Sequence, residues 1–223
     1  MIVNSFWLGE TITPLNELCI ESWLKKGCTY NLYTYGKINT NLNVNILDAN
    51  QVVSKKEYFT YHHGISKRTP VAFSNLFRAE LLYQKGGLYI DTDVMLIKPI
   101  ELEEYTFCYQ YHPHYSTSIG TCFLYSKYAN SQLFKRWADI IRDLSKGYIS
   151  HGDLGPDLFT NLILAFNMLE FVKDKSLVNP IDYTEIQDLL NKPKAQNYLH
   201  LFNSIQKGIT LEKINDIKKY YEI

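Results

Sequence analysis

Two carboxylates one residue apart, Asp91 and Asp93, follow a short apolar run in "GGLYIDTDVMLI". Like charges that close repel each other and are settled by a metal, another cation or water. Residues two apart in a strand project on one face. Just past a strand end, at a turn, both carboxylates can converge on one hard cation. Oxygen-only ligands suit Mg2+ or Mn2+, and two protein carboxylates leave coordination positions for substrate phosphates. The pair is therefore a candidate holder of a diphosphate through a divalent ion. Taken alone, the tripeptide reads first as two solvated acids at a strand end, and the context upstream shifts that reading.

Upstream, in "FSNLFRAELLYQKGG", Asn75 and Arg78 are three apart, so on a helix they share one face. A guanidinium stays charged at any ordinary pH, so a buried Arg78 must meet a carboxylate or a phosphate. The helix runs through Gly86 and Gly87 directly into the strand that carries the acids. Arg78 is thus placed to brace the acidic turn by a salt bridge to Asp91, or to contact a bound anion.

The elements that position these residues read from caps and periodicity. Ile2 to Leu8 is a first strand, and "TPLNELCIESWLKK" is a helix with Thr13 as N-cap, Pro14 first and Gly27 as the stop. Cys28 to Tyr35 and Asn43 to Ala49 are rich in aromatic and β-branched residues and read as strands. This strand–helix–strand opening predicts a parallel, helix-covered sheet. In the second helix Thr69 is the expected cap, Pro70 the start and Gly86 the stop, with apolar residues around most of its circumference, as in a buried helix. "GLYI" and "VMLI" are short strands on either side of the acids, and "YTFCYQY" and "IGTCFLY" a later pair. The connection of that pair, His112 to Ser118, reads as a mobile loop whose His112, Pro113, His114 and Tyr115 line an acceptor cleft or form an exposed turn. Helices are expected at "SQLFKRWADIIRDLSK" and "GPDLFTNLILAFNML", then a strand near Leu177 to Val178, a brief helix at Ile186 to Leu190, a strand at Tyr198 to Phe202 and a basic helix at Leu211 to Tyr221. No repeat or long linker interrupts this order, so residues 1–223 read as one α/β domain, either whole or a piece of a longer protein.

Composition narrows the partners. The 223 residues carry 23 Lys plus Arg against 23 Asp plus Glu, and this zero net charge argues against a nucleic-acid partner. The 18 tyrosines offer flat apolar faces with polar tips, which suit sugars and nucleobases as well as half-buried packing. Cys19, Cys28, Cys108 and Cys122 form no CxxC pair, so a zinc knuckle is not expected. With no leader-like opening, the expectation is free thiols in the cytoplasm. No window is apolar enough to span a membrane. A membrane-bound acceptor would be met by peripheral docking, for which Lys213, Lys218 and Lys219 offer a basic face, or a merely solvated one.

The stretch "AFSNLFRAELLYQKGGLYIDTDV", residues 72 to 94, resembles the sugar-binding DXD region of glycosyltransferase family 32 and its relatives, which include bacterial capsule and lipopolysaccharide transferases and the large clostridial glucosylating toxins. Ser74, Asn75, Arg78, Gly86, Gly87, Asp91 and Asp93 all match the pattern. More loosely, "FWLGE" and "ESWLKKGCTYNLYTY" are similar to the family's opening, "HGDLGPDLFTNLI" to a GP-containing segment, and "YLHLFNS" to a C-terminal HxxN signature. Two departures stand out. Asn75 replaces an Asp found in many relatives, and the chain is shorter than many of them.

The resemblance implies a GT-A-type, Rossmann-like sandwich with a mixed central sheet flanked by helices. It implies a nucleotide-sugar donor, most often a UDP-sugar, with Mn2+ or Mg2+, a glycan or glycolipid acceptor, and retention of anomeric configuration. Carried over residue by residue, Asp91, Asp93 and Arg78 form the catalytic set. Trp7 matches an aromatic that holds the donor base, with Asn75, Arg78, Asp91, His200 and Asn203 around the donor, and Asp91, Asp93 and His200 at the metal. Trp7 reads equally as core packing, and His200 as a hydrogen-bonded sheet histidine.

Two other readings compete. "LYIDTDV" imitates the nucleophile motif of haloacid-dehalogenase-like phosphatases, and "GDLGPD" their downstream acid pair at Asp153 and Asp157. That nucleophile strand normally opens the domain, whereas here three strands and two helices precede it. A non-catalytic, cation-dependent carbohydrate-binding module would share the tyrosines and the acidic pair.

Overall fold

Thr13 and Pro14 start the first helix as their chemistry dictates. The Thr13 hydroxyl accepts the Asn16 N–H and Pro14 occupies the first helical position of α1 (Pro14–Lys25), which Gly27 terminates at φ 75°. α1 connects β1 (Ile2–Phe6) to β2 (Thr29–Thr34), and the two strands pair in parallel from Ile2↔Thr29 to Phe6↔Tyr33. β3 (Asn45–Asp48) extends the parallel run beyond β2. The structure is a computed structural model that describes residues 1–64, 67–110, 118–182, 184–202 and 209–223.

α2 (Val71–Lys85) feeds β4 (Gly87–Ile90), which lies parallel beside β1. The helix begins at Val71, one residue later than expected, so Pro70 rather than Thr69 stands in the cap position. Proline leaves no backbone N–H needing a partner there, so the start is set one residue later. Gly86 and Gly87 both have positive φ, and a Cβ on Gly86 would lie 2.9 Å from the Tyr128 carbonyl carbon. Only glycine makes this turn from helix to strand.

The remaining elements are β5 (Val94–Leu96), β6 (Tyr105–Gln110), β7 (Ser118–Ile119), β8 (Phe123–Ser126), α3 (Gln132–Leu144), α4 (Pro156–Ala165), β9 (Val172–Lys173), β10 (Tyr198–His200) and α5 (Leu211–Tyr221). The main sheet runs β3-β2-β1-β4-β8-β6-β7, with β9 paired to β6. β8 joins β4 antiparallel, so the sheet is mixed as expected. β5 leaves it and pairs antiparallel with β10. The strand expected at Leu177 to Val178 is instead the end of a 3-10 turn over Lys175–Leu177, and the strand of this region is β9. Of the loop expected at His112 to Ser118, residues 112–117 lie outside the described residues, as does Asn203.

Strand alternation sorts side chains onto two faces. On one face Phe6, Tyr89 and Leu124 pack against α2, α3 and α4 through Phe73, Phe77, Trp137 and Phe159. Phe6 stacks on Phe77 with ring centroids 4.3 Å apart. Phe77 is fully buried, so truncation to alanine would cost about 3–5 kcal/mol. On the other face Val3, Leu88, Ile90 and Phe123 pack with Ile20, Trp23 and Tyr198. A third cluster seats α5 against α1, with Met95 of β5 and Leu199 of β10.

Candidate active site

The acids stand at the C-terminal end of β4, beside the C-terminal end of β1, where open α/β sheets bind ligands. The Ser5 hydroxyl donates to the Ile90 carbonyl at 2.7 Å and ties these two strand ends together. Beyond them come Trp7 on one strand and the turn of Asp91 to Asp93 on the other. The turn is pinned on three sides. Asp91 N–H donates to the Cys122 carbonyl, Val94 N–H to the Asp91 carbonyl and Leu201 N–H to the Asp93 carbonyl. Thr92, buried between the acids, accepts from Asn16 Nδ2 at 2.8 Å and so anchors the turn to α1.

The Asp91 side chain faces α2. Arg78 Nη2 donates to both of its oxygens, at 2.7 and 2.9 Å, and the Tyr89 hydroxyl donates to Oδ1 at 3.1 Å. Arg78 Nη1 donates to Asn75 Oδ1 at 2.6 Å and to Thr121 Oγ1 at 2.9 Å. With both terminal nitrogens turned to protein oxygens, Arg78 is arranged as a brace of the acidic turn. Its Nε is buried without a hydrogen-bond partner among the described residues. Burial works against the guanidinium charge, but Asp91 and Tyr89 outweigh it and raise the pKa further. Burial, then the Asp91 charge, raises the Tyr89 pKa well above the phenol range, so Tyr89 stays a neutral donor. A buried charge pair of this kind is costly to break from one side, about 3–5 kcal/mol.

The brace extends into the neighbouring loop. Asn75 Nδ2 donates to the Tyr61 hydroxyl at 3.3 Å, and a Cβ on Gly155 would press on Asn75 Oδ1 at 3.2 Å. Tyr61 is fully buried, and burial pushes its pKa up to about 12. Asn75 thus links Arg78 to the start of α4, and its side-chain oxygen is spent on the guanidinium.

The Asp93 side chain faces the C-terminal segment. His200 Nε2 lies 3.5 Å from Asp93 Oδ1, and His200 Nδ1 lies 3.2 Å from Asn179 Oδ1. β10 delivers the histidine by pairing His200 with Val94. Burial disfavours a charged imidazole, yet the Cys122 sulfur and the Asp93 carboxylate outweigh it and raise the His200 pKa well above the usual histidine value. Trp7 is half-buried, and its Nε1 donates to the Thr11 carbonyl at 3.1 Å.

The structure therefore gathers Arg78, Asn75, Asp91, Asp93 and His200 around one turn, with Trp7 on the adjacent strand end. Tyr89, Thr121, Thr92, Asn16 and Asn179 were not singled out from sequence. Tyr89 is the exception that carried a signal: two residues before Asp91 on a strand, it must share that residue's face. The donor set suits a hard cation held largely by its substrate. The two acids offer oxygens alone, and among the described residues no group of three or more His, Cys, Asp and Glu is arranged to hold a metal. Of the acids in the phosphatase reading, Asp153 accepts the Ser150 N–H within its own loop through Oδ2. The strand in that reading also has an antiparallel neighbour, β8.

Residues 15–118 match the family described as the glycosyltransferase sugar-binding region containing the DXD motif. Asp91 and Asp93 are the DXD pair inside that span. Such a region implies the use of a divalent metal and a nucleotide-sugar donor. Among solved structures the chain is similar to the PaToxG glycosyltransferase, at 14% identity and a TM-score of 0.51, over 99% of this chain and 84% of that one. It is also similar to a transferase bearing two cysteine-to-serine substitutions, at 10% identity and a TM-score of 0.51, over 77% of this chain and 90% of that one. These likenesses are of fold: a mixed sheet flanked by helices. Among curated proteins no sequence matches. No helix among the described residues is long and apolar enough to cross a membrane.

Proposed function

We propose, for an enzyme whose residues 15–118 are a glycosyltransferase sugar-binding region, a metal-dependent transfer of a sugar from a UDP-sugar to a glycan or glycolipid acceptor, with retention of anomeric configuration. The observation that carries this reading is the pair of acids at the end of β4, each held by a different part of the chain: Asp91 by Arg78 and Asp93 by His200.

In this reading the three candidate ligands, Asp91, Asp93 and His200, form no preassembled cage; the diphosphate would bring the cation to Asp93, and the other two would close on it. A bound Mn2+ or Mg2+ would offset the negative charge that gathers on the departing diphosphate as the anomeric C–O bond breaks. Arg78 keeps Asp91 aimed at the turn, and its fixed positive charge adds to the field there. Asn75 holds the guanidinium from below. Trp7 receives the base at the neighbouring strand end. Asn203, outside the described residues, belongs to the proposed donor shell on the strength of the motif alone. The sugar acquires oxocarbenium character as it leaves, as in glycoside hydrolysis. Residues 1–223 act as one domain. A cytoplasmic site of action belongs to the same proposal.

The test is release of UDP from a panel of UDP-sugars. With Mn2+ present at least one donor should be turned over, and EDTA should abolish it. Equal turnover in EDTA would remove the metal from the account, and inertness toward UDP-, GDP- and CMP-sugars alike would remove the donor class.

A further inference from the structure

Asn179 is 1% exposed and was not part of any motif, yet it touches three groups near the acidic turn. Its Nδ2 donates to the Tyr109 carbonyl at 3.3 Å. Its Oδ1 lies 3.2 Å from His200 Nδ1 and 4.0 Å from the Cys122 sulfur. The main chain fixes the two segments together, because His200 N–H donates to the Val178 carbonyl at 2.9 Å and Asn179 N–H donates to the Lys175 carbonyl at 2.7 Å.

The orientation of this amide is determined by its partners. Turned over, Oδ1 would face the Tyr109 carbonyl, acceptor against acceptor, and Nδ2 would face the histidine. As it stands, Oδ1 can only accept, so His200 Nδ1 must carry the proton. Were a cation beside Asp93 to take the place of the Nε2 proton, the lone pair would be on Nε2, the nitrogen that faces Asp93. Histidines that bind metals are commonly oriented in this way by a carbonyl or carboxylate on the far nitrogen.

We infer that Asn179 is a positioning residue that fixes the His200 tautomer, presenting Nε2 to the cation and diphosphate beside Asp93. The inference rests on the proposed metal-dependent reading.

Two measurements test it. Long-range 1H–15N spectra of histidine-labelled protein, with the His200 signals assigned by their loss in His200→Gln, report the tautomer without any activity. With Mg2+ and UDP added, Nδ1 should be protonated and Nε2 bare; a bare Nδ1 overturns the inference. Mn2+ affinity in the presence of UDP, read by electron paramagnetic resonance, should fall about 10–100-fold in Asn179→Leu and stay within about threefold in Asn179→Asp, which keeps an oxygen opposite Nδ1. Wild-type affinity in Asn179→Leu, with wild type itself binding Mn2+, sinks this inference alone. Failure of the wild type to bind Mn2+ with UDP sinks the metal-dependent reading and the inference with it. Should Asn179→Leu not fold, the wild-type tautomer decides.

Discussion

The two acids of the turn are one residue apart and have opposite surroundings. Asp91 is held from the N-terminal half, by a guanidinium on a fifteen-residue helix whose far end is packed into the main core. Asp93 is met from the C-terminal segment, by a histidine on a three-residue strand outside the main sheet. The first arrangement is a charge pair between a buried guanidinium and a carboxylate that is 23% exposed. The second includes a 3.5 Å contact between a carboxylate and an imidazole that can change its protonation. On the proposed reading the two acids divide their work: Asp91 chiefly fixes where the turn is, and Asp93 exchanges the His200 contact for a ligand.

Substitutions at the two acids sharpen that contrast. Asp93→Ala is expected to lower transfer by about a thousandfold or more, the several kcal/mol that a lost metal contact is worth. Its melting temperature should stay close to wild type. A variant that transfers normally would reverse the assignment of roles. Arg78→Ala should do the opposite first. It leaves Asp91 without its counter-charge and should destabilise the fold by about 3–5 kcal/mol, measured by urea unfolding, with activity lost alongside. Unchanged stability would show that Asp91 finds its partner elsewhere.

Smaller effects probe the supports. Asn16→Leu removes the donor to the Thr92 hydroxyl between the acids. Leaving that buried hydroxyl without its partner should cost about 1–3 kcal/mol in the same unfolding assay. His151 gives the smallest effect and a pH signature. Burial lowers its pKa, against the opposing pull of Asp157 and Asp153. The unfolded chain therefore takes up this proton first, at about pH 6.5. Its contribution to stability is complete above that pH and is lost as pH falls through the depressed folded value. A melting series from pH 8 to 5 should fall less steeply in His151→Asn than in wild type; identical slopes would show that His151 carries no such linkage.

The same contrast explains what could be read from sequence. The N-terminal half was legible because its signals are local. Thr13 and Pro14 announce α1, alternation marks β2, and Gly86–Gly87 mark the turn that only glycine makes. Arg78 and Asn75 shared a helix face with correct spacing, and Asp91 was a natural partner for a buried arginine. The C-terminal segment gave weaker signals. β9 has two residues and exists because Val172 finds Phe107 across the sheet, a pairing no local pattern encodes. The strand expected at Leu177 to Val178 gave way to a turn capped by Asp174, whose carboxylate accepts the Ser176 N–H. Asn179 and Thr121 became visible only when distant segments met around the site, at separations of 21 residues from His200 and 43 from Arg78.

On the proposed reading the turn binds a nucleotide diphosphate through a divalent cation, with Asp93 exchanging its His200 contact to do so. Calorimetric titration of UDP into the wild-type chain tests it most directly. The account predicts binding with Mn2+ present, none in EDTA, and none in Asp93→Ala under either condition. Equal UDP affinity with and without the metal, or in the Asp93→Ala protein, would contradict it.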